Sequence, residues 1–166
     1  DIVRIIGPMG DFYLREDSPR PLLFVAGGTG FAPIKGIIEH ALAAGIPRSM
    51  HLYWGARAKA DLYLDELPRR WGLNHAHFRY TPVLSAPRPE DRWSGRCGLV
   101  HEAVLADHPD LSGYDIYAGG PPAMVQAMHQ AAMARNFPAE QFFSDPFEFA
   151  PDTLAKQRAQ MEKRAQ

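Results

Sequence analysis

Cysteine is almost absent: Cys97 is the only one among 166 residues. One thiol cannot close an intrachain disulfide, nor can it supply the ligands of a zinc ribbon or of an iron–sulfur cluster. An excess of charge is lacking too, because 18 Lys and Arg face 19 Asp and Glu. That balance excludes the broad basic field that nucleic acid or an anionic membrane selects, so no nucleic-acid or membrane partner is expected and recognition has to be local. No apolar run approaches the roughly 20 residues that cross a bilayer. With neither an initiating methionine nor a signal peptide, the sequence reads as a cytoplasmic stretch cut from something longer.

Two phosphate-binding signatures are missing as well. No Lys-Ser or Lys-Thr follows the glycines at Gly27, Gly28 and Gly30, so the Walker pattern fails, and the spacing is not G-x-G-x-x-G. What stands there instead is Leu22-Leu23-Phe24-Val25-Ala26, a short apolar run, followed by Gly27-Gly28-Thr29-Gly30-Phe31-Ala32-Pro33. The run suits a parallel strand buried on both faces. The glycines let the backbone take positive φ and approach a ligand closely. Pro33 suits a first helical turn, where its absent N–H costs nothing. Free N–H groups and the positive dipole end of that helix then favour a pyrophosphate. A tight strand-to-helix connection without a ligand is the plainer alternative.

The length is that of about one domain. Strands are expected at Leu22–Ala26, Ser49–Trp54, His77–Leu84, Asp115–Ala118 and Gln141–Ser144, and helices at Pro33–Ala44, Leu62–Trp71, Val100–His108 and Pro122–Asn136. This alternation predicts an α/β fold, a three-layer sandwich around a mostly parallel five-stranded sheet. Four turns follow strands directly, at Gly27–Gly30, Gly55–Arg57, Ser85–Arg88 and Gly119–Pro122, and should converge on one crevice beyond the strand ends. Ahead of them, Val3 to Leu14 reads as a strand, a Gly7-Pro8 turn and a second strand, with Arg15 to Pro21 as linker.

These residues resemble the nicotinamide-binding half of the ferredoxin–NADP reductase superfamily, with bacterial oxygenase reductases and CDP-6-deoxy-glucoseen reductase-like flavoproteins nearest by motif. Gly7-Pro8-Met9-Gly10-Asp11-Phe12 is similar to the end of that family's flavin barrel, and Val25 to Pro33 to its pyrophosphate turn. Trp54-Gly55-Ala56-Arg57 with Asp61-Leu62-Tyr63 is similar to its ribose-side segment. Tyr117-Ala118-Gly119-Gly120-Pro121-Pro122-Ala123-Met124 is similar to its Cys-Gly-Pro-Pro-x-Met motif, with Gly119 in place of the cysteine. Phe143 to Phe147 resembles its closing strand.

The resemblance implies a ferredoxin reductase-like domain over residues 21–149, flavin-barrel remnant and linker over 1–20, and an exposed tail over 150–166. It implies NADH, or less well NADPH, bound by Gly27, Gly28, Thr29, Gly30, Phe31, Pro33, Gly55, Arg57, Asp61, Gly119, Gly120, Pro121, Pro122, Met124 and Phe147. Hydride would pass to FAD and electrons to a [2Fe–2S] centre, both in other domains, and then to an oxygenase, dehydratase or similar acceptor. The isolated chain would bind nucleotide without oxidising it.

The individual residues keep plainer roles open beside these. Arg57 could grip an adenosine phosphate or stand solvated, and Asp61 could touch ribose or cap the helix after it. Ala58 and Ala60 add none of the hydroxyls or second arginine that would help Lys59 hold a 2′-phosphate, which leans towards NADH. Met124 with Met128 and Ala131 repeats at helical spacing and suits core packing. Phe147, or Phe149 as second choice, could stack on a flavin or nicotinamide or simply fill core. His75 and His77 share a strand face with no third ligand nearby, so no metal site is assigned. No acid, base or nucleophile is assigned either. The rival class is a non-catalytic nucleotide-sensing or partner-docking module.

Overall fold

A computed structural model describes residues 10–146. Its centre is β1, Leu22–Gly27, in which all six residues are buried. It is flanked by β2 (Met50–Ala56) and β5 (Asp115–Gly120), with β3 (Phe78–Leu84) and β4 (Arg96–Cys97) beyond β2 and β6 (Phe142–Pro146) beyond β5. The six-stranded order is β4-β3-β2-β1-β5-β6, and every pairing is parallel. The register sets Phe24 beside Leu52 and Tyr117.

Alternation along β1 divides the core. Leu22, Phe24 and Ala26 pack with Ile34 and Ile38 of α1 (Phe31–Ala43) and Trp71 of α2 (Glu66–Asn74). Leu23 and Val25 face the other way, onto Val104 of α3 (Val100–Asp107) and Met128 of α4 (Pro122–Met133). A strand buried on both faces must be apolar at successive positions, and that is why this one could be read from its composition. The result is the expected three-layer sandwich.

The differences from the sequence reading have local causes. The sheet has six strands where five were expected, because β4 is two exposed residues with no apolar run, held only by its register to Val83 and Leu84. Helix α2 starts at Glu66 and not at Leu62. Asp61 Oδ2 accepts the Ala58 N–H at 3.0 Å to close a short 3-10 turn, and Leu62 then leaves helical geometry (φ −84°, ψ 64°) to bury its side chain. Asp61 therefore caps that turn, not the helix. Residues 1–9 of the expected N-terminal strand pair lie outside the described residues, as do Phe147, Phe149 and the tail. Over Gly10–Leu14 no strand forms; Phe12 and Leu14 instead pack onto the α1 side of the core.

Candidate functional site

Parallel strands deliver all their carboxyl ends to one side. The chain builds the sheet outward from β1 to β4, then returns to the far side of β1 with β5, so the order reverses between β1 and β5. Connections leave that junction in opposite directions and open a crevice there.

Two turns cross at the junction by backbone contact. A Cβ on Gly30 would lie 2.2 Å from both the carbonyl carbon and oxygen of Gly119. Gly120, at φ +143°, would meet Gly27 O at 2.8 Å, and Gly119 itself would meet Gly30 O at 2.9 Å. Only residues without a side chain allow that approach. Gly28 is glycine for a different reason: it has open space around it but φ +52°, in the left-handed region. Its carbonyl accepts the Trp54 indole N–H at 3.2 Å.

Helix α1 begins directly after this turn with no side-chain cap and no acidic residue in its first turn, and α4 begins the same way after Pro121. Their first N–H groups thus have no side-chain acceptor, and their dipole ends carry partial positive charge. Beside them lies a cleft of about 760 Å³, within the range of small-molecule sites.

Gly27, Gly28 and Thr29 form one wall, Gly55, Arg57 and Asp61 a second, and Pro121 and Met124 a third, so three of the expected turns meet there and Ser85 brings the fourth. Other expected residues lie elsewhere. Gly30, Gly119 and Gly120 are buried in the crossing behind the wall. Phe31 is fully buried beneath it, stacked on Trp54 with ring centroids 4.1 Å apart. Pro33 is half-buried in the first turn of α1, and Pro122 is the exposed first residue of α4. Met124 serves both packing and cleft, since a Cβ on Gly27 would meet its sulfur at 2.5 Å.

Sequence reasoning left out a fifth contribution, Gly98 to His101 at the start of α3, while Tyr63, named there only within the ribose-side segment, also lines the cleft. A glycine before an apolar helix start was the available signal, hidden because β4 is too short to read. A Cβ on Gly55 would stand 2.8 Å from Val100 Cβ, and this close packing brings the start of α3 to the cleft.

The charges and aromatics divide by position. Among the described residues nothing hydrogen-bonds or pairs with the exposed Arg57 guanidinium. Tyr63, 48% exposed, sets its ring edge-on to Trp54 at 5.1 Å, and burial pushes its hydroxyl pKa up, so it stays a neutral donor at ordinary pH. No hydrogen bond joins a nucleophile to a base among the described cleft residues. The rings of His75 and His77 lie 5.9 Å apart, and the described residues hold no group of three metal-ligating side chains. No described helix is long and apolar enough to cross a membrane.

Comparison with known proteins agrees with this fold. The sequence pattern of the family described as oxidoreductase NAD-binding domain matches residues 24–130. Protein RfbI of Salmonella typhimurium is 43% identical over 146 residues, covering 88% of this chain and 43% of that protein. The CDP-6-deoxy-L-threo-D-glycero-4-hexulose-3-dehydrase reductase of Yersinia pestis is 40% identical, with the same coverage of both chains. Among solved structures, the Amycolatopsis cytochrome P450 reductase GcoB superposes with a TM-score of 0.76 at 36% identity, over 85% of this chain and 42% of that one. The chain thus spans less than half the length of these relatives.

Proposed function

The chain belongs to the oxidoreductase NAD-binding domain family, the nucleotide half of the ferredoxin–NADP reductase superfamily, and from that premise we propose that it holds NADH for a flavin-dependent electron-transfer oxidoreductase. The observation that carries this reading is the glycine crossing: two turns locked backbone to backbone, with the uncapped start of α1 beside an open cleft. The fit to a dinucleotide is chemical. Backbone N–H groups around Gly28 and Thr29 suit a pyrophosphate, and no acidic residue in the first turn of α1 repels it. Arg57 and Asp61 suit the adenosine side, with the exposed Tyr63 ring as a stacking face for the base. The turn from Gly119 to Pro122 shapes the nicotinamide end together with Thr29.

Nicotinamide held here would supply hydride chemistry to a flavin and, beyond it, an iron–sulfur centre carried by other domains; this chain's share is binding and orientation. In this chain Gly28 and Thr29 bind, the Gly30–Gly119 contact sets the distance between the two turns, and Met124 and Pro121 keep water from one wall. The physiological acceptor in this reading is an oxygenase, dehydratase or similar partner, in the cytoplasm. In this reading the nucleotide domain begins at about residue 21, behind the Arg15–Pro21 linker. Among the described residues Arg57 is the only Arg or Lys in the cleft wall, with His101 as the other basic side chain, and Asp61 beside Arg57 disfavours a 2′-phosphate, which supports NADH over NADPH.

Saturation-transfer NMR with NADH and NADPH in competition tests the proposal on this chain. Signal from adenine and nicotinamide protons, with NADH displacing NADPH, is expected. The chain should also leave NADH unoxidised when no flavin is added. Silence from both nucleotides, or rapid oxidation without flavin, would overturn the reading.

A further inference from the structure

Among the described residues, Trp54 is the side chain that hydrogen-bonds the glycine turn from inside the protein. It ends the buried part of β2, is fully buried, and is sandwiched by Phe31 at 4.1 Å and Tyr63 at 5.1 Å. A buried indole N–H needs an acceptor. The one it has is the carbonyl of Gly28, at 3.2 Å, which the Phe31 N–H also approaches as α1 begins.

Two constraints follow from covalent geometry. The Gly28 carbonyl and the Thr29 N–H belong to one planar trans peptide and point in opposite directions. Pinning the carbonyl to the indole therefore turns the Thr29 N–H away from the core, and Thr29 is a residue of the cleft wall. Gly28 at φ +52° has open space where its Cβ would be, so the groups that fix its carbonyl are the Phe31 N–H and, as the one side chain, the indole.

We infer that Trp54 is a positioning residue for anion capture: its indole N–H orients the Gly28–Thr29 peptide so that the Thr29 N–H is held ready for a phosphate. The inference rests on the nucleotide reading above and adds to it a side chain that need not touch the ligand. The same contact makes Trp54 a reporter, because Tyr63 links its ring to the cleft.

The test compares ligands with and without phosphate. In the Trp54→Phe variant the ring is largely kept and the donor is lost. ADP and inorganic pyrophosphate should bind about fivefold more weakly, the worth of one modest hydrogen bond, while adenosine keeps its wild-type affinity. Equal weakening of adenosine and ADP would mean that Trp54 only packs, and unchanged ADP affinity would mean that it does nothing for the turn. Either result overturns the inference while leaving the nucleotide reading intact. Failure of the wild-type chain to bind both ADP and NADH would instead remove that reading and the inference with it. Should the variant not fold, hydrogen exchange of the wild-type indole decides. The Trp54 Nε1 proton should exchange far more slowly than a free indole, and pyrophosphate should shift the Thr29 amide signal. Fast exchange, or a Thr29 amide indifferent to pyrophosphate, sinks the idea.

Discussion

The two ends of the sheet handle polar groups in opposite ways. At the amino ends of the strands, Arg48 and Asp115 are buried side chains joined at 2.5 Å. Arg48 also donates to the carbonyls of Arg15, at 2.8 Å, and of Arg20. Tyr117 OH accepts the Arg15 N–H at 2.9 Å, and the Asp115 N–H donates to Pro21 O at 3.0 Å. The segment from Arg15 to Pro21 is thereby tied across the sheet, with the carbonyls of Arg15, Arg20 and Pro21 and the Arg15 N–H satisfied from within. At the carboxyl ends, glycines do the joining, the starts of α1 and α4 have no side-chain cap, and the turns before them line a cleft. A polar cluster that satisfies itself holds the fold, whereas one that leaves donors open beside a cavity waits for a ligand.

The comparison breaks most visibly at its charged end. Asp115→Ala strands the Arg48 guanidinium in the interior and should cost about 4 kcal/mol, lowering the melting temperature by about 10 °C or more. The ADP affinity of the folded fraction should stay at its wild-type value. Lost affinity at unchanged melting temperature would reverse the assignment of the two ends.

Gly30→Ala attacks the other end. Its Cβ would fall 2.2 Å from the Gly119 carbonyl, and neither backbone can give way without moving a strand end. We expect a loss of about 3 kcal/mol together with loss of ADP binding, measured by urea unfolding and by titration. An alanine variant that melts and binds like wild type would refute the crossing.

Acid separates the ends without mutation. His51 lies in the amino half of β2 and bonds Thr81 Oγ1 at 2.9 Å and His108 at 3.3 Å. Burial, then the Arg79 guanidinium and His108, depresses its pKa from 6.5 to about 4. Below pH 6.5 the unfolded chain takes up a proton that the folded chain refuses until about pH 4, so stability is full above that window and falls on descending through it. The loss should be on the order of 2 kcal/mol, read from urea midpoints between pH 7 and 4, and His51→Gln should flatten it. A flat wild-type profile would contradict a neutral, buried His51.

The finest test is Gly119→Cys, which puts a Cβ 2.9 Å from Gly30 O and 3.4 Å from Ile34 Cδ1. The crossing has to open by tenths of an ångström, at a cost of about 1 kcal/mol. The expected outcome is a small fall in melting temperature with a measurable change in NADH affinity, and a stabilised variant would show that the two turns have slack.

Much of the fold was legible because its signals are local. The apolar run from Leu22 to Ala26 announces a strand covered on both faces, and Pro33 and Pro122 lie in the first turns of helices where a missing N–H costs nothing. Strand β4 was illegible, since two exposed residues carry no pattern and exist as a strand only through Val83 and Leu84. The start of α2 was misread because Asp61 has the same capping chemistry whether it closes a 3-10 turn or a helix. In the site, Gly27, Gly28, Thr29, Gly55, Arg57, Asp61, Pro121 and Met124 were named from the sequence and line the cleft, while Phe31 was named and is buried beneath it.

By itself the sequence determined five of the six strands and the four helices, that the strands run parallel with helices between them, and that turns opening on glycine follow three of the strands. Periodicity and the backbone limits of Gly and Pro act over a few residues and need no partner. Only the tertiary structure decided that Gly30 meets Gly119 and that Trp54 holds Gly28. It likewise decided that Arg48 closes on Asp115 and that the start of α3 reaches the cleft. Those contacts join residues far apart along the chain, and their energies come from packing and desolvation that exist only once the sheet has assembled.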